Sequence, residues 1–277
     1  MGQQAAVAVG LAAGAAVLHA AWNLRLKTAD DPLRVAAVAV PLGTLPLTAA
    51  IAAAWLASGR PSLPWQGWAL AGASGLVELG YFHALSAAYR RGDVSSVYPV
   101  ARGTAPVLAA LVGLLVLRER LAPLQVAGVA ALVAGIWLAR PPARGRMVLL
   151  PALLTGVLIA GYTTLDRLGV RLGPFWLYTW AVFAATSLWL LPWARPGLAG
   201  QALPVGVLTV GAYGMTLAAL SLAPLALVAP LRESGVVVVA LWGVLRLGER
   251  RRAPLKLGGA AAVLAGAVLV AAGSAPP

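Results

Sequence analysis

Residues 99–121 read PVARGTAPVLAALVGLLVLRERL, an apolar run with one cation, Arg102, near its start and a Glu-Arg turn near its end. An ionised side chain at the centre of a hydrocarbon layer costs about 3 kcal/mol on insertion scales and more in simulations. What the arginine does there depends on what surrounds the run, so composition comes first.

Of the 277 residues, 61% are hydrophobic and 10% charged, with a mean hydropathy of +0.86. Soluble domains are roughly half apolar and a quarter charged. The chain therefore reads as an integral membrane protein. A helical span takes about 20 apolar residues, because the hydrocarbon core is roughly 30 Å thick and each residue rises about 1.5 Å. Ten such spans consume most of the chain and leave little for a soluble domain, an extramembrane active site or a nucleic-acid surface. The net charge of +13 must sit mainly in short connections, where basic residues report orientation and not nucleic acid. Nineteen of the 21 basic residues are Arg, which with the abundant Ala and Gly matches a GC-rich coding sequence. There is no Cys, which excludes disulfides, thiolate metal sites and thiol catalysis.

Spans are expected at roughly 5–24, 33–57, 66–88, 94–116, 123–139, 147–165, 175–193, 203–222, 227–245 and 255–273, separated by Pro-, Gly- and Arg-containing connections such as RPSLP (60–64) and RPPARGR (140–146). The first segment lacks a basic start, and Arg25 and Lys27 follow its apolar stretch, so it is expected to remain as a span. Fourteen of the basic residues fall in connections after odd-numbered spans and five in the others, with Arg102 and Arg232 inside spans. Taken literally, that asymmetry puts both termini outside.

The opening stretch has a second copy. Residues 117–135, LRERLAPLQVAGVAALVAG, match residues 247–266, LGERRRAPLKLGGAAAVLAG. Pro123, Gly128 and Gly135 pair with Pro254, Gly259 and Gly266 at a constant offset, and Glu119 pairs with Glu249 one residue short of it. Upstream, Tyr81 pairs with Tyr213, Pro99 with Pro230 and Arg102 with Arg232. At the start of each half, His19 and Asn23 match Tyr162 and Asp166. The repeat thus spans five helices, dividing the chain into 1–140 and 141–277. An odd number of spans inverts the second copy relative to the first, the arrangement from which many transporters derive alternating access.

In these two copies, at 99–135 and 230–266, and in LHAAWNLRLKTADDP at 18–32, the chain resembles the drug/metabolite transporter superfamily, in particular its EamA-type members. The resemblance covers essentially the whole chain. It implies an all-α membrane fold of ten transmembrane helices, built as two inverted five-helix repeats around a central cavity. It also implies transport of small metabolites, often export of amino acids or related compounds, in a plasma membrane such as the bacterial inner membrane. The partners expected are a small-molecule substrate and the lipid bilayer, with no nucleic acid and no cofactor or metal; a monomer is compatible with this.

Several residues are candidates for an interior site. Arg102, flanked by Pro99 and Pro106, either holds a substrate carboxylate or pairs with Glu78 or Glu233; the prolines suggest a bent helix with free carbonyls toward the cavity. Glu78 lies near the middle of its span, where desolvation favours the neutral carboxyl, the property a proton-coupled carrier needs. Tyr81 shares its helix face, while His83, the second proton-coupling candidate, points about 140° away. His19, Trp22 and Asn23 either line one end of the cavity or mark its interfacial exit. Arg232 and Glu233 diverge by about 100° on a helix, so each meets a different partner unless they neutralise each other locally. Tyr98 and Tyr213 are candidate hydroxyl donors, and Trp180 and Trp242 candidate walls. Asp166 is expected at the interface beside Arg167.

These residues favour a secondary transporter over a passive facilitator or an intramembrane enzyme. HExxH, GxSxG and GxxxxGK[ST] are all absent, and the two histidines fall on different spans, which disfavours hydrolytic chemistry and an ATP-driven pump.

Overall fold

The computed structural model describes residues 2–91, 94–139, 146–235, 237 and 253–273, and within them the chain is helical with no strand. The helices are α1 (Gly2–Lys27), α2 (Pro32–Ala57), α3 (Trp65–Arg91), α4 (Val94–Leu111), α5 (Pro123–Ala139), α6 (Arg146–Gly169), α7 (Phe175–Leu190), α8 (Ala199–Leu222), α9 (Leu225–Arg232) and α10 (Ala253–Ala272). By length and composition, α1, α2, α6, α7 and α8 can each cross a membrane. α3 is as long, but its apolar face is interrupted by Glu78 and His83 and its last turn carries Arg90 and Arg91.

Local chemistry sets the ends. Asp31 caps α2 by accepting from the Arg34 N–H at 3.2 Å, and Pro32 at the first helical position has no N–H to leave unanswered. α4 does not stop at Leu111 but widens into a π-helical turn over Val112–Val116, closed by Leu117 N–H to the Val112 carbonyl. Glycine is required inside that turn: a Cβ on Gly113 would stand 2.6 Å from Glu119 Oε2 and 2.9 Å from the Ala226 nitrogen. The long apolar run expected after Pro230 ends as helix at Arg232 and continues as a 3-10 turn, Glu233–Gly235. Apart from Val237, the rest of the expected ninth span, with Trp242, and Glu249 in the connection after it lie outside the described residues.

Inside a bilayer, helices are held by close packing and interior hydrogen bonds, since lipid is as apolar as leucine. α1 packs on α8 and α3 on α6; α2 packs on α7 and α8, α3 on α7, α4 on α6 and α9, and α5 on α10. The α5–α10 seam is the tightest kind. A Cβ at Gly128 would meet the Gly266 carbonyl oxygen at 2.7 Å, and one at Gly135 would meet that of Gly259 at 2.6 Å. As position rises along α5 it falls along α10, so the two helices run antiparallel. Buried threonines return their hydroxyls to the carbonyl one turn back, as at Thr44, Thr163 and Thr209, and so add no unpaired donor to the apolar interior.

Candidate functional site

α4 carries Arg102 into the interior, and the turn after α9 carries Glu233 to meet it. Arg102 Nη1 donates to both carboxylate oxygens of Glu233, at 3.1 and 2.9 Å. Arg232 reaches the same group through Nε at 3.0 Å and Nη2 at 2.9 Å. All three side chains are at most 2% exposed. Of the two alternatives for Arg232 and Glu233, separate partners or a local pair, the structure takes the local pair: the helix gives way to a 3-10 turn at Glu233, and there one carboxylate serves both guanidiniums. Of the partners expected for Arg102, Glu233 is the one it takes. The outer face of Arg232 lies 5.8 Å above the ring of Tyr162.

A polar face of α3 crosses the same interior. Ser74, Glu78, Tyr81 and Tyr89 are all buried, at spacings of three or four residues or a multiple that keeps them on one side. Thr186 Oγ1 meets Glu78 Oε2 at 2.6 Å and its own Val182 carbonyl at 2.9 Å. Tyr81 stacks edge-on against Tyr162, which stacks against Tyr213, which in turn meets Phe183. Tyr213 donates to Asp166, and so do Ser74 at 2.7 Å and Tyr178 at 3.1 Å.

Asp166 is therefore not interfacial but fully buried. α6 runs on to Gly169, which keeps Asp166 inside the bundle, while its neighbour Arg167 turns away to pair with Glu119 at 2.9 Å. Glu119 in turn accepts the N–H groups of Leu225 and Ala226, both at 2.9 Å, capping the start of α9. The Glu-Arg turn of the opening stretch is thus a helix cap and an ion pair at one end of the bundle.

On α1, Trp22 Nε1 donates to His19 Nδ1 at 2.9 Å, and Asn23 donates to the His19 carbonyl at 2.8 Å. Tyr89 donates to Asn23 Oδ1 at 3.0 Å, and Lys27 to the Tyr89 carbonyl at 2.6 Å. His19, Trp22 and Asn23 are all buried.

His83 stands apart: it bonds the Leu79 carbonyl of its own helix and packs against Trp193. Trp180 also lies elsewhere. It joins Trp55, Trp68 and Arg60 around a separate, largely apolar cavity of about 350 Å³ at the adjoining ends of α2, α3 and α7. The side chain of Tyr98 lies outside the described residues. Ser74, Tyr178 and Thr186 were missed. Ser74 was findable as the residue one turn before Glu78; the other two are brought in only by the packing of α7 on α3 and α6. Among the described residues, no three His, Asp or Glu side chains gather as a metal site.

Residues 6–140 match the EamA-like transporter family. Over these residues, just under half of its length, the chain is similar to that family. The EamA match runs from α1 to α5 and includes Arg102, Glu78 and the His19–Asn23 cluster. With the long apolar helices, this match indicates a multi-pass membrane protein. A crystal structure of another protein, 21% identical, superposes over 95% of both chains with a TM-score of 0.69, a likeness of fold. No curated protein matches the sequence.

Proposed function

We propose that this EamA-like protein is a secondary transporter of small organic solutes, working by alternating access of an interior site formed between two five-helix halves, 1–140 and 141–277. The observation that carries the reading is the buried triad of Arg102, Glu233 and Arg232 inside a polar, aromatic-lined interior. Two cations and a carboxylate are costly to keep from water unless they serve a passing solute or a moving element. Their burial on every side favours an occluded carrier over an open pore.

Packing supports the ten-span, inverted arrangement. Exchanging α1 with α6, α2 with α7, α3 with α8, α4 with α9 and α5 with α10 maps the observed contacts onto one another: α1 on α8 becomes α6 on α3, and α5 on α10 maps to itself. Antiparallel self-contact is what a two-fold axis lying in the membrane plane requires. Smaller contacts follow the same exchange. Lys27 at the end of α1 donates to the Tyr89 carbonyl of α3, and Arg167 near the end of α6 donates to the Leu220 carbonyl of α8.

In this reading Arg102, Arg232 and Glu233, with Tyr81, Tyr213, His19, Trp22 and Asn23, surround the solute. Glu78 carries the coupled proton, because Thr186 can donate to the ionised carboxylate or accept from the neutral acid while donating to Val182. Export across a bacterial inner membrane, with both termini outside, completes the proposal.

The test is flux in proteoliposomes. Accumulation against a gradient, driven by a pH difference, supports a coupled carrier. Rapid equilibration with no accumulation would make the protein a facilitator. Epitope tags at the termini that are reached only from the cytoplasm would reverse the orientation.

A further inference from the structure

Among the described residues, the interior contains buried hydrogen-bond donors that no protein group answers, and a run of aromatic rings links them. An indole N–H can only donate, so the His19 Nδ1 that Trp22 meets is an acceptor and the neutral ring carries its proton on Nε2. That Nε2 makes no hydrogen bond, and neither does the Tyr81 hydroxyl nor Arg232 Nη1, a nitrogen with no capacity to accept. All three residues are at most 3% exposed. Ring contacts connect them: His19 on Trp22 at 6.0 Å, Trp22 on Phe82 at 6.4 Å, Phe82 on Tyr81 at 5.0 Å, Tyr81 on Tyr162 at 5.7 Å, and Tyr162 below Arg232.

The acceptors around them are already engaged. Glu233 is held by Arg102 and Arg232, Asp166 by Ser74, Tyr178 and Tyr213, and Glu78 by Thr186. Buried donors are costly to leave unmet, most of all a charged one. A partner that satisfies them must bring its own acceptor oxygens. Within the triad, two guanidiniums share one carboxylate.

We propose that this interior binds the carboxylate of a small organic monoanion, its oxygens accepting from Arg232 Nη1, the Tyr81 hydroxyl and His19 Nε2, with the apolar remainder against Trp22, Phe82 and Tyr162. The inference rests on the transport reading above and names the chemical class of its solute. An anionic oxygen is the stronger acceptor for the charged Arg232 Nη1, and a planar two-oxygen head suits donors carried by three helices, α1, α3 and α9.

The experiment pairs acids with their neutral amides. Purified protein is titrated with acetate, lactate and benzoate, and with acetamide, lactamide and benzamide, reading thermal unfolding, since a ligand of the folded state raises the melting temperature. At least one acid is expected to stabilise saturably where its amide does not. Tyr81→Phe removes an oxygen that bonds nothing, so without ligand it should unfold at the parent temperature, yet bind that acid about tenfold more weakly. Acid and amide acting alike overturns the proposal, as does parental affinity in Tyr81→Phe. A lower melting temperature for the ligand-free variant also overturns it, because the hydroxyl was then already partnered. Flux separates this inference from the reading beneath it. A bound acid that is never transported contradicts the transporter and spares the site; transport of neutral solutes with no preference for acids contradicts the site alone.

Discussion

Arg102 and Glu233 meet at 2.9 Å across 131 residues of chain, the same separation that divides Pro99 from Pro230 and Pro123 from Pro254. At that offset Arg102 falls on Glu233, so in the proposed two-half arrangement opposite charges stand at matching positions. Arg232, matched to Arg102 by residue type, is one place out of that register and acts as a second donor to the same carboxylate. In the proposed alternating-access reading, a pair shared in this way is one that rocking halves would remake.

Glu233 is the hub of the triad, so its loss is expected to cost more than the loss of either cation. Glu233→Gln leaves two buried guanidiniums facing each other and should destabilise by about 3–5 kcal/mol, the range for breaking a buried pair. Arg102→Gln leaves the Arg232–Glu233 pair and should cost less. Unfolding of the purified variants compares them; equal costs would show that the triad is not organised around the carboxylate.

Glu119 joins four elements: the π-turn after α4, the end of α6, the end of α8 through Arg167, and the start of α9. Glu119→Ala should lose about 1–2 kcal/mol for the cap, with a further penalty for the stranded Arg167. Adding Arg167→Met should recover part of that penalty, since the uncompensated charge is gone. Thermal unfolding of the four proteins closes the cycle.

Gly128→Ala and Gly266→Ala should each destabilise by about 1–3 kcal/mol, because the new methyl meets a carbonyl oxygen of the facing helix at 2.7 Å and the helices must part. Gly72→Ala, with nothing within 4 Å, is the control and should be neutral or stabilising by up to about 1 kcal/mol. A control destabilised as much as the seam variants would show that their loss does not come from close approach.

Glu78→Gln should abolish pH-driven accumulation in vesicles while sparing solute exchange, because the amide keeps a polar contact with Thr186 but cannot change charge. Unchanged coupling would remove Glu78 from the proton path.

Much of the scaffold was legible because hydrocarbon imposes a length and a composition on anything that crosses it. The expected segments at 33–57, 123–139 and 175–193 agree with α2, α5 and α7 with its terminal 3-10 turn to within a residue. Arg102 and Glu78 stood out for the same reason, as charges too costly to place in lipid. Asp166 was misplaced because it lies near the end of an apolar run beside an arginine. Only the continuation of α6 to Gly169, and the opposite headings of two neighbours on a helix, put one inside and the other on Glu119.

Chain composition and the repeated Pro, Gly and Glu-Arg positions were enough by themselves to specify a multi-helix membrane protein with charged residues in its interior, since those features follow from short-range rules of burial and helix period. Which carboxylate answers which arginine, which hydroxyls clothe Asp166, and which buried donors are left unpaired were decided only by tertiary structure. Those pairings join residues as many as 131 positions apart, and a hydrogen bond depends on where helices cross and turn, which no local pattern encodes.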